Sequence, residues 1–272
     1  MREFPATASS SDNIYAYRKR LVWMRRHLKP ADRIVERGCG TGYMVTLPLL
    51  ADGYDITDLD RDEDSVAYGC RLAEQAGLAG GHIVGGDLDV LQGQFVVVLA
   101  SEVLEHLDET QLDAVLASVR NTLRPGGLFL VTVPNGFGWF EFESWIWNRL
   151  RLGMLLSRTR LDRTLMRIKV WLSGKPEDEL VEQHPSSLDT SPHVQRFTLS
   201  SLRRCLSAAG FEVIESTGSA LFAGQISNLL FTGYEGLVRL NAGLAGRLPA
   251  LSSGFYVACA RSGSPVQTAE HE

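Results

Sequence analysis

The chain has 272 residues, 44% of them hydrophobic and 22% charged, with 26 glycines. That composition fits one large globular domain, or a domain carrying an insertion, and excludes a disordered, collagenous or fibrous protein. Lys+Arg 27 against Asp+Glu 32 leaves a net charge of −5, so no domain-wide basic field exists to hold a nucleic-acid backbone, and no nucleic-acid partner is expected.

The longest apolar runs, Phe95 to Ala100 and Leu128 to Val133, fall far short of the roughly 18 residues needed to cross a bilayer. Arg2, Glu3 and the nearby serines form no apolar signal-peptide core, so a cytoplasmic location is expected. Cys39, Cys70, Cys205 and Cys259 are too scattered for a disulfide framework and contain no Cys-x-x-Cys pair, which predicts reduced thiols. The histidines form no His-x-x-x-His pair, Glu105-His106 is the internal place where one adjoins a ligand-type carboxylate, and no bound metal is expected.

In chain order, Ile14 to Leu28 mixes aromatic, basic and apolar residues at helical spacing and stops before Pro30, predicting a leading helix. A regular alternation comes next: strand Arg33–Glu36, helix near Tyr43–Ala51, strand Tyr54–Leu59, helix Glu63–Ala76, strand His82–Gly85, strand Phe95–Ala100, helix Glu109–Leu123 and strand Leu128–Val133. Strands alternating with helices imply right-handed crossovers and a doubly wound α/β fold, its mostly parallel sheet covered on both faces. Phe95 to Ala100 is apolar throughout and reads as a central strand.

The alternation breaks at Asn135 to His193, which reads as a helical insertion. It resumes with a helix at Leu199–Ala209, stopped by Gly210, and a strand at Phe211–Ser216. Ala220 to Leu248 reads as irregular or helical, Gly254–Ala260 as a final strand, and the residues after Arg261 as a disordered tail. The implied division is an N-terminal tail and leading helix over 1–30, a domain over 31–262 with a lid over 136–192, and a tail over 263–272.

The most informative segment is Glu36-Arg37-Gly38-Cys39-Gly40-Thr41-Gly42, where the first strand turns into the first helix. Alternate glycines let the backbone bend sharply and approach a ligand without Cβ obstruction. A dinucleotide fingerprint needs Gly-x-Gly-x-x-Gly, but its last glycine would fall on Tyr43 or Val45. Glu36, two residues before the first glycine, would oppose a pyrophosphate and suits a cofactor bearing an ammonium group.

On these residues the sequence resembles the class I S-adenosylmethionine-dependent methyltransferases, whose first motif is acid-x-Gly-x-Gly-x-Gly at this strand end. The resemblance implies S-adenosylmethionine as cofactor, with Glu36, Gly38, Cys39, Gly40 and Gly42 lining it. Cys39 is there a small space-filler, not a nucleophile.

In Thr57-Asp58-Leu59-Asp60-Arg61 the family's ribose acid is identified as Asp60, because Val66 lies six residues further on and Asp60 lies 24 beyond Glu36. Arg61 stands where the family usually has an apolar residue, and belongs to the same lining. Gly86-Asp87-Leu88 resembles the adenine element, which assigns Asp87 to the adenine amino group and Leu88 to the ring. Phe95 to His106, ending Ser101-Glu102-Val103-Leu104-Glu105-His106, is similar to the family's fourth-strand segment and implies Ser101 and Glu102 at the cofactor. Val96 departs from the aspartate common there.

Leu123-Arg124-Pro125-Gly126-Gly127 and Phe129 to Asn135 resemble the fifth-strand signature. His193 to Thr198 with Ala209-Gly210-Phe211 resembles an element of the small-molecule branch, similar to ubiquinone-biosynthesis-type O-methyltransferases.

The reaction so implied is methyl transfer to a hydroxyl of a small or lipid-like molecule, with nitrogen or carbon less favoured. Two other classes stand beside it. One is a non-catalytic cofactor-binding protein or scaffold on the same fold, and the other an aminopropyl transferase, disfavoured for want of an acid-rich amine pocket. A hydroxyl needs a base, for which His106 and His193 are the candidates. Tyr15, Tyr17, Arg18 and Arg20 read as one face of a solvated amphipathic helix in preference to a clamp on the cofactor's carboxylate.

Phe137, Trp139, Phe140, Phe142, Trp145 and Trp147 put six aromatics into eleven residues, of which Phe137, Trp139, Phe140 and Trp145 are the expected acceptor wall. Leu161, Leu165, Ile168 and Leu172 make one helical face, and Arg160, Arg163 and Arg167 another. The stretch from Gly136 to Lys175 carries net charge +5. A helical lid packed on the domain is the preferred reading, with peripheral membrane contact through 145–172 as the alternative.

Overall fold

The computed structural model describes residues 16–262 apart from 39, 79–81, 92–93, 160 and 175–192. The expected tails, Tyr15, Arg160 and the position of Cys39 therefore lie outside the described residues.

The seven strands are β1 Arg33–Arg37, β2 Asp55–Asp60, β3 Ile83–Gly85, β4 Phe95–Ser101, β5 Leu123–Pro134, β6 Phe211–Gly218 and β7 Gly254–Arg261. They form one sheet in the order β3-β2-β1-β4-β5-β7-β6. Every neighbouring pair is parallel except those of β7, which runs antiparallel to both β5 and β6. The chain winds outward in one direction from β1 and in the other from β4, so the switch of direction falls between these two strands, where open α/β sheets open a crevice at their carboxyl ends.

Period-two alternation divides the core. On one face Val98 and Ala100 of β4 pack with Phe129 and Val131 of β5, under α4 (Glu109–Thr122) and α8 (Leu199–Ala208). On the other, Val97, Leu99 and Leu130 pack with Leu21, Trp23 and Met24 of α1 (Tyr17–His27) and Leu49 of α2 (Thr46–Ala51). Helix starts follow local polar chemistry. Asp62 caps α3 (Glu63–Gln75) by accepting from Ser65 N at 3.0 Å, and Asp108 with Gln111, and Thr198 with Ser201, form capping boxes on α4 and α8.

Several boundaries differ from the expected ones for identifiable reasons. The glycine loop continues through Gly42 (φ +66°), so α2 begins at Thr46 and not near Tyr43. Pairing of β5 with β4 starts at Leu123 and jumps from Phe95↔Leu123 to Val97↔Leu128, leaving the exposed Arg124–Gly126 as an irregularity inside one longer strand. The segment expected to be irregular or helical contains α9 (Gln225–Phe231) and α10 (Glu235–Arg247).

The insertion after β5 contains α5 (Trp139–Arg149), α6 (Leu152–Thr159) and α7 (Leu161–Ser173). Glu143, only 2% exposed, accepts from Ser227 N at 2.8 Å and from the Ser227 hydroxyl and the Trp139 indole, so a carboxylate of α5 sits on the first turn of α9. The Lys169 ammonium donates to Asn228 O at 2.9 Å from α7. The insertion is thus fastened to α9 by two charged groups that an apolar-periodicity reading passes over.

Candidate active site

Glu36 is the fourth residue of β1, buried to 2% exposure, and accepts from the Thr46 hydroxyl at 2.5 Å. Burial pushes its carboxyl up to about 7, opposed by the Thr46 hydrogen bond and the charge of Arg20. Gly38 has φ +72°, and a Cβ there would lie 2.7 Å from the Val103 side chain, so the loop after β1 and the loop after β4 touch in a way only glycine permits.

At the end of β2 the two acidic candidates separate. Asp58 is fully buried beneath the loop, where a Cβ on Gly42 would meet its Oδ2 at 2.7 Å. Asp60 is half-buried at the strand end and accepts from Gly40 N at 2.6 Å and Asp62 N at 2.9 Å. A carboxylate offers about four acceptor positions, so these two bonds leave capacity for further donors.

Asp87, past the end of β3, is engaged differently. Arg37 grips it with two bonds of 2.7 and 2.6 Å, Arg61 adds one of 2.8 Å, and Leu88 N another of 2.8 Å. Burial alone would raise this carboxyl, but the bonds and charges of Arg37, Leu88 and Arg61 hold it below the usual carboxylate range. Leu88 is buried beside it in the core.

Beyond β4, Glu102 occupies the left-handed region (φ +56°), a strained choice for a residue with a side chain. Its N–H donates to Thr132 O at 2.9 Å and its Oε1 accepts from the Thr132 hydroxyl at 3.1 Å, which fixes the conformation. The same Oε1 lies 3.4 Å from Nη2 of Arg20. Ser101, the last residue of β4, places a buried hydroxyl here.

Arg20 departs from the sequence expectation of a solvated helix. It is 5% exposed, and its Nε has no hydrogen-bond partner among the described residues. The leading helix is docked, not solvated, because Leu21, Trp23 and Met24 are buried and the Lys19 ammonium donates to Gly218 O, Ser219 O and Ala242 O at 2.5, 3.0 and 2.6 Å. The charged run Arg18-Lys19-Arg20 at the start of the helix gives no local sign of that anchoring.

The two histidines meet. His106 ends a short 3-10 turn after β4, His193 precedes α8, and their rings stand edge to face at 5.1 Å. Val194 N and Gln195 N both donate to Glu105 O, at 2.8 and 2.9 Å, so backbone bonds bring the segments together. Glu105 is 1% exposed and its carboxyl oxygens have no hydrogen-bond partner among the described residues, although His106 Nε2 lies 3.8 Å away. Burial and the neighbouring Glu102 push this carboxyl well above the usual range. One ligand-type atom from each of Glu105, His106 and His193 falls within 4.8 Å of the others, a grouping that the spacing of histidines along the chain does not reveal.

The expected aromatic wall is not a buried one. Phe137 and Trp145 are 69% and 64% exposed, while Trp139 packs on Phe142 and Phe222 at 5.2 and 5.0 Å and Phe140 is half-buried. On α5 the buried place is taken by Glu143. On α7, Leu161 and Ile168 of the proposed apolar face are exposed together with Arg163 and Arg167, and Lys169 is buried instead.

A family profile for the methyltransferase domain matches residues 11–216. The chain belongs to the family of S-adenosylmethionine-dependent methyltransferase domains. It is 32% identical over 137 residues to a protein of Mycolicibacterium smegmatis named a probable S-adenosylmethionine-dependent methyltransferase, covering 49% of this chain and 50% of that one. It is 31% identical over 126 residues to a ubiquinone biosynthesis O-methyltransferase of Paramagnetospirillum magneticum, covering 41% and 49%. The chain thus matches about half the length of these curated relatives. Magnesium protoporphyrin IX methyltransferase from Synechocystis PCC 6803, solved with bound S-adenosylhomocysteine, superposes with a TM-score of 0.52 over 92% of this chain and 83% of that one, at 13% identity, a likeness of fold. No helix among the described residues is long and apolar enough to cross a membrane.

Proposed function

We propose that this chain transfers a methyl group from S-adenosylmethionine to a hydroxyl oxygen of a small or lipid-like molecule. The observation that carries this reading is the convergence, at the carboxyl ends of adjacent strands, of the glycine loop, Glu36, Asp60 and Asp87 with the His106–His193 pair. The donor set fits the cofactor. Glu36 suits an ammonium group, Asp60 retains acceptor capacity for ribose hydroxyls, Asp87 is the acid that the resemblance assigns to the adenine amino group, and the unpartnered Nε of Arg20 suits a carboxylate.

When bound, the cofactor supplies a methyl made electrophilic by its sulfonium. The chain's own part is to align the acceptor, exclude water and take a proton. His106 or His193 takes the proton from the acceptor hydroxyl, with the buried Glu105 carboxyl beside them.

The lid supports a lipid-like acceptor reached at a membrane surface. Trp145, Met154, Leu155, Ile168 and Trp171 are exposed, Trp171 to 81%, and they share the insertion with exposed Arg149, Arg151, Arg158, Arg163 and Arg167. Exposed tryptophans with arginines suit the interface of an anionic bilayer. Supplying methyl-labelled S-adenosylmethionine with hydroxylated aromatic, amine and lipid acceptors tests the proposal. Label is expected in alkali-stable ethers, and label confined to amines would overturn the hydroxyl assignment.

A further inference from the structure

Asp87 carries a full complement of donors before any cofactor is considered. Its Oδ1 accepts from Arg37 Nε and Leu88 N, and its Oδ2 from Arg37 Nη2 and Arg61 Nη2. A carboxylate has about four lone-pair positions, so an adenine amino group has nowhere to donate unless one donor leaves.

The four donors are unequal. Arg37 is 8% exposed, approaches as a two-bond fork and is the last residue of β1, so releasing it would strand a buried guanidinium. Leu88 N belongs to the turn directly after Asp87 and cannot move independently. Arg61 reaches Asp87 through a single contact from a side chain that is 73% exposed, and water replaces that contact at little cost. Arg61 and Arg37 also line, with Leu107, Gln111 and Val115, a cavity of about 300 Å³ against Asp87. A released Arg61 therefore has solvent and open space to move into.

We propose that Arg61 is a displaceable occupant of the adenine acceptor. The cofactor docks by exchanging the Arg61–Asp87 bond for one from its amino group, and Arg61 thereby sets cofactor affinity and its dependence on salt. Arg37 is the positioning residue that holds the carboxylate in place during the exchange. This inference rests on the cofactor reading above and adds a competitor to it.

The test is calorimetric titration of the wild-type chain and Arg61→Gln with S-adenosylhomocysteine and with its 6-deamino analogue, at low salt and at about 0.5 M salt. Removal of an exposed competing ion pair is expected to tighten S-adenosylhomocysteine about two- to fivefold at low salt. The gain should vanish at high salt, and the analogue, which has no amino group to donate, should bind both proteins alike. Unchanged or weaker binding of S-adenosylhomocysteine by Arg61→Gln, or an equal gain for both compounds, overturns the proposal. Failure of the wild-type chain to bind either compound would instead remove the cofactor reading, and the proposal with it.

Discussion

Arg20 of the leading helix and Glu102 at the end of β4 approach to 3.4 Å, a contact between residues 82 positions apart in the sequence. It joins the helix that precedes the sheet to the strand at its centre. Arg20→Gln should lower cofactor affinity about tenfold or more, because the buried Nε donor is lost together with its charge. Stability should fall by about 1–3 kcal/mol, between the values for exposed and buried pairs. Calorimetry and thermal melting of Arg20→Gln and Arg20→Lys measure both, and wild-type affinity in the glutamine variant would remove Arg20 from the site.

The Glu36 carboxyl, pushed up to about 7 by burial, makes cofactor binding and stability respond to pH in opposite senses. Below about 7 Glu36 is neutral and a weak partner for an ammonium group, so affinity should rise as pH increases from 6 to 8. The folded form holds this proton at pH values where the unfolded chain, near its ordinary 4.5, has released it. Stability therefore falls as pH climbs from about 4.5 to about 7 and levels off above. Glu36→Gln should flatten both profiles, and an unaltered affinity profile in that variant would assign the titration elsewhere.

If the histidine pair supplies the base, His106→Ala or His193→Ala should lower turnover by about 10² to 10⁴ with cofactor affinity nearly constant. Prior treatment with a chelator separates this role from metal binding by the Glu105, His106 and His193 group. Turnover is expected to survive the chelator, and loss that returns on adding a divalent cation would reassign the histidines as ligands.

The exposed arginines and tryptophan of α7 give the membrane reading its handle. Arg163→Gln, Arg167→Gln and Trp171→Ser combined should reduce sedimentation with anionic vesicles and leave S-adenosylhomocysteine affinity unchanged, with the difference shrinking as salt rises. Wild-type protein that ignores such vesicles would leave the lid as a cover for the domain.

The parallel sheet, its central strand and the placement of the glycine loop were legible because buried parallel strands and alternate glycines leave local signatures, as in Phe95–Ala100 and Gly38 to Gly42, whereas the order of the strands came only from the structure. The preference for Asp60 over Asp58 rests on the register of the resemblance, with Val66 six residues further on. The two share one face of β2, Asp58 buried beneath the loop and Asp60 half-buried nearer the strand's carboxyl end, where two backbone N–H groups reach it. The features that escaped were charged groups in buried places. Arg20, Glu143 and Lys169 each sit inside an otherwise ordinary polar helix pattern, and partners distant in sequence, Glu102, Ser227 and Asn228, decide their burial. The saturation of Asp87 escaped too, because Arg37 and Arg61 come from the ends of two different strands and meet only after the sheet has formed.

The central claim is that S-adenosylmethionine is held at the ends of β1 to β3, with Asp60 on its ribose. Calorimetric titration of S-adenosylhomocysteine into the wild-type chain, Asp60→Ala and Asp58→Asn tests it most directly. The account predicts one equivalent bound by the wild type and an affinity about 10- to 100-fold weaker in Asp60→Ala, from loss of hydrogen bonds to a charged acceptor contributing roughly 1.5 to 3 kcal/mol each. Asp58→Asn, altered beneath the loop, should lose thermal stability while retaining most of its affinity. Undiminished binding by a folded Asp60→Ala variant would contradict the account and place the cofactor elsewhere.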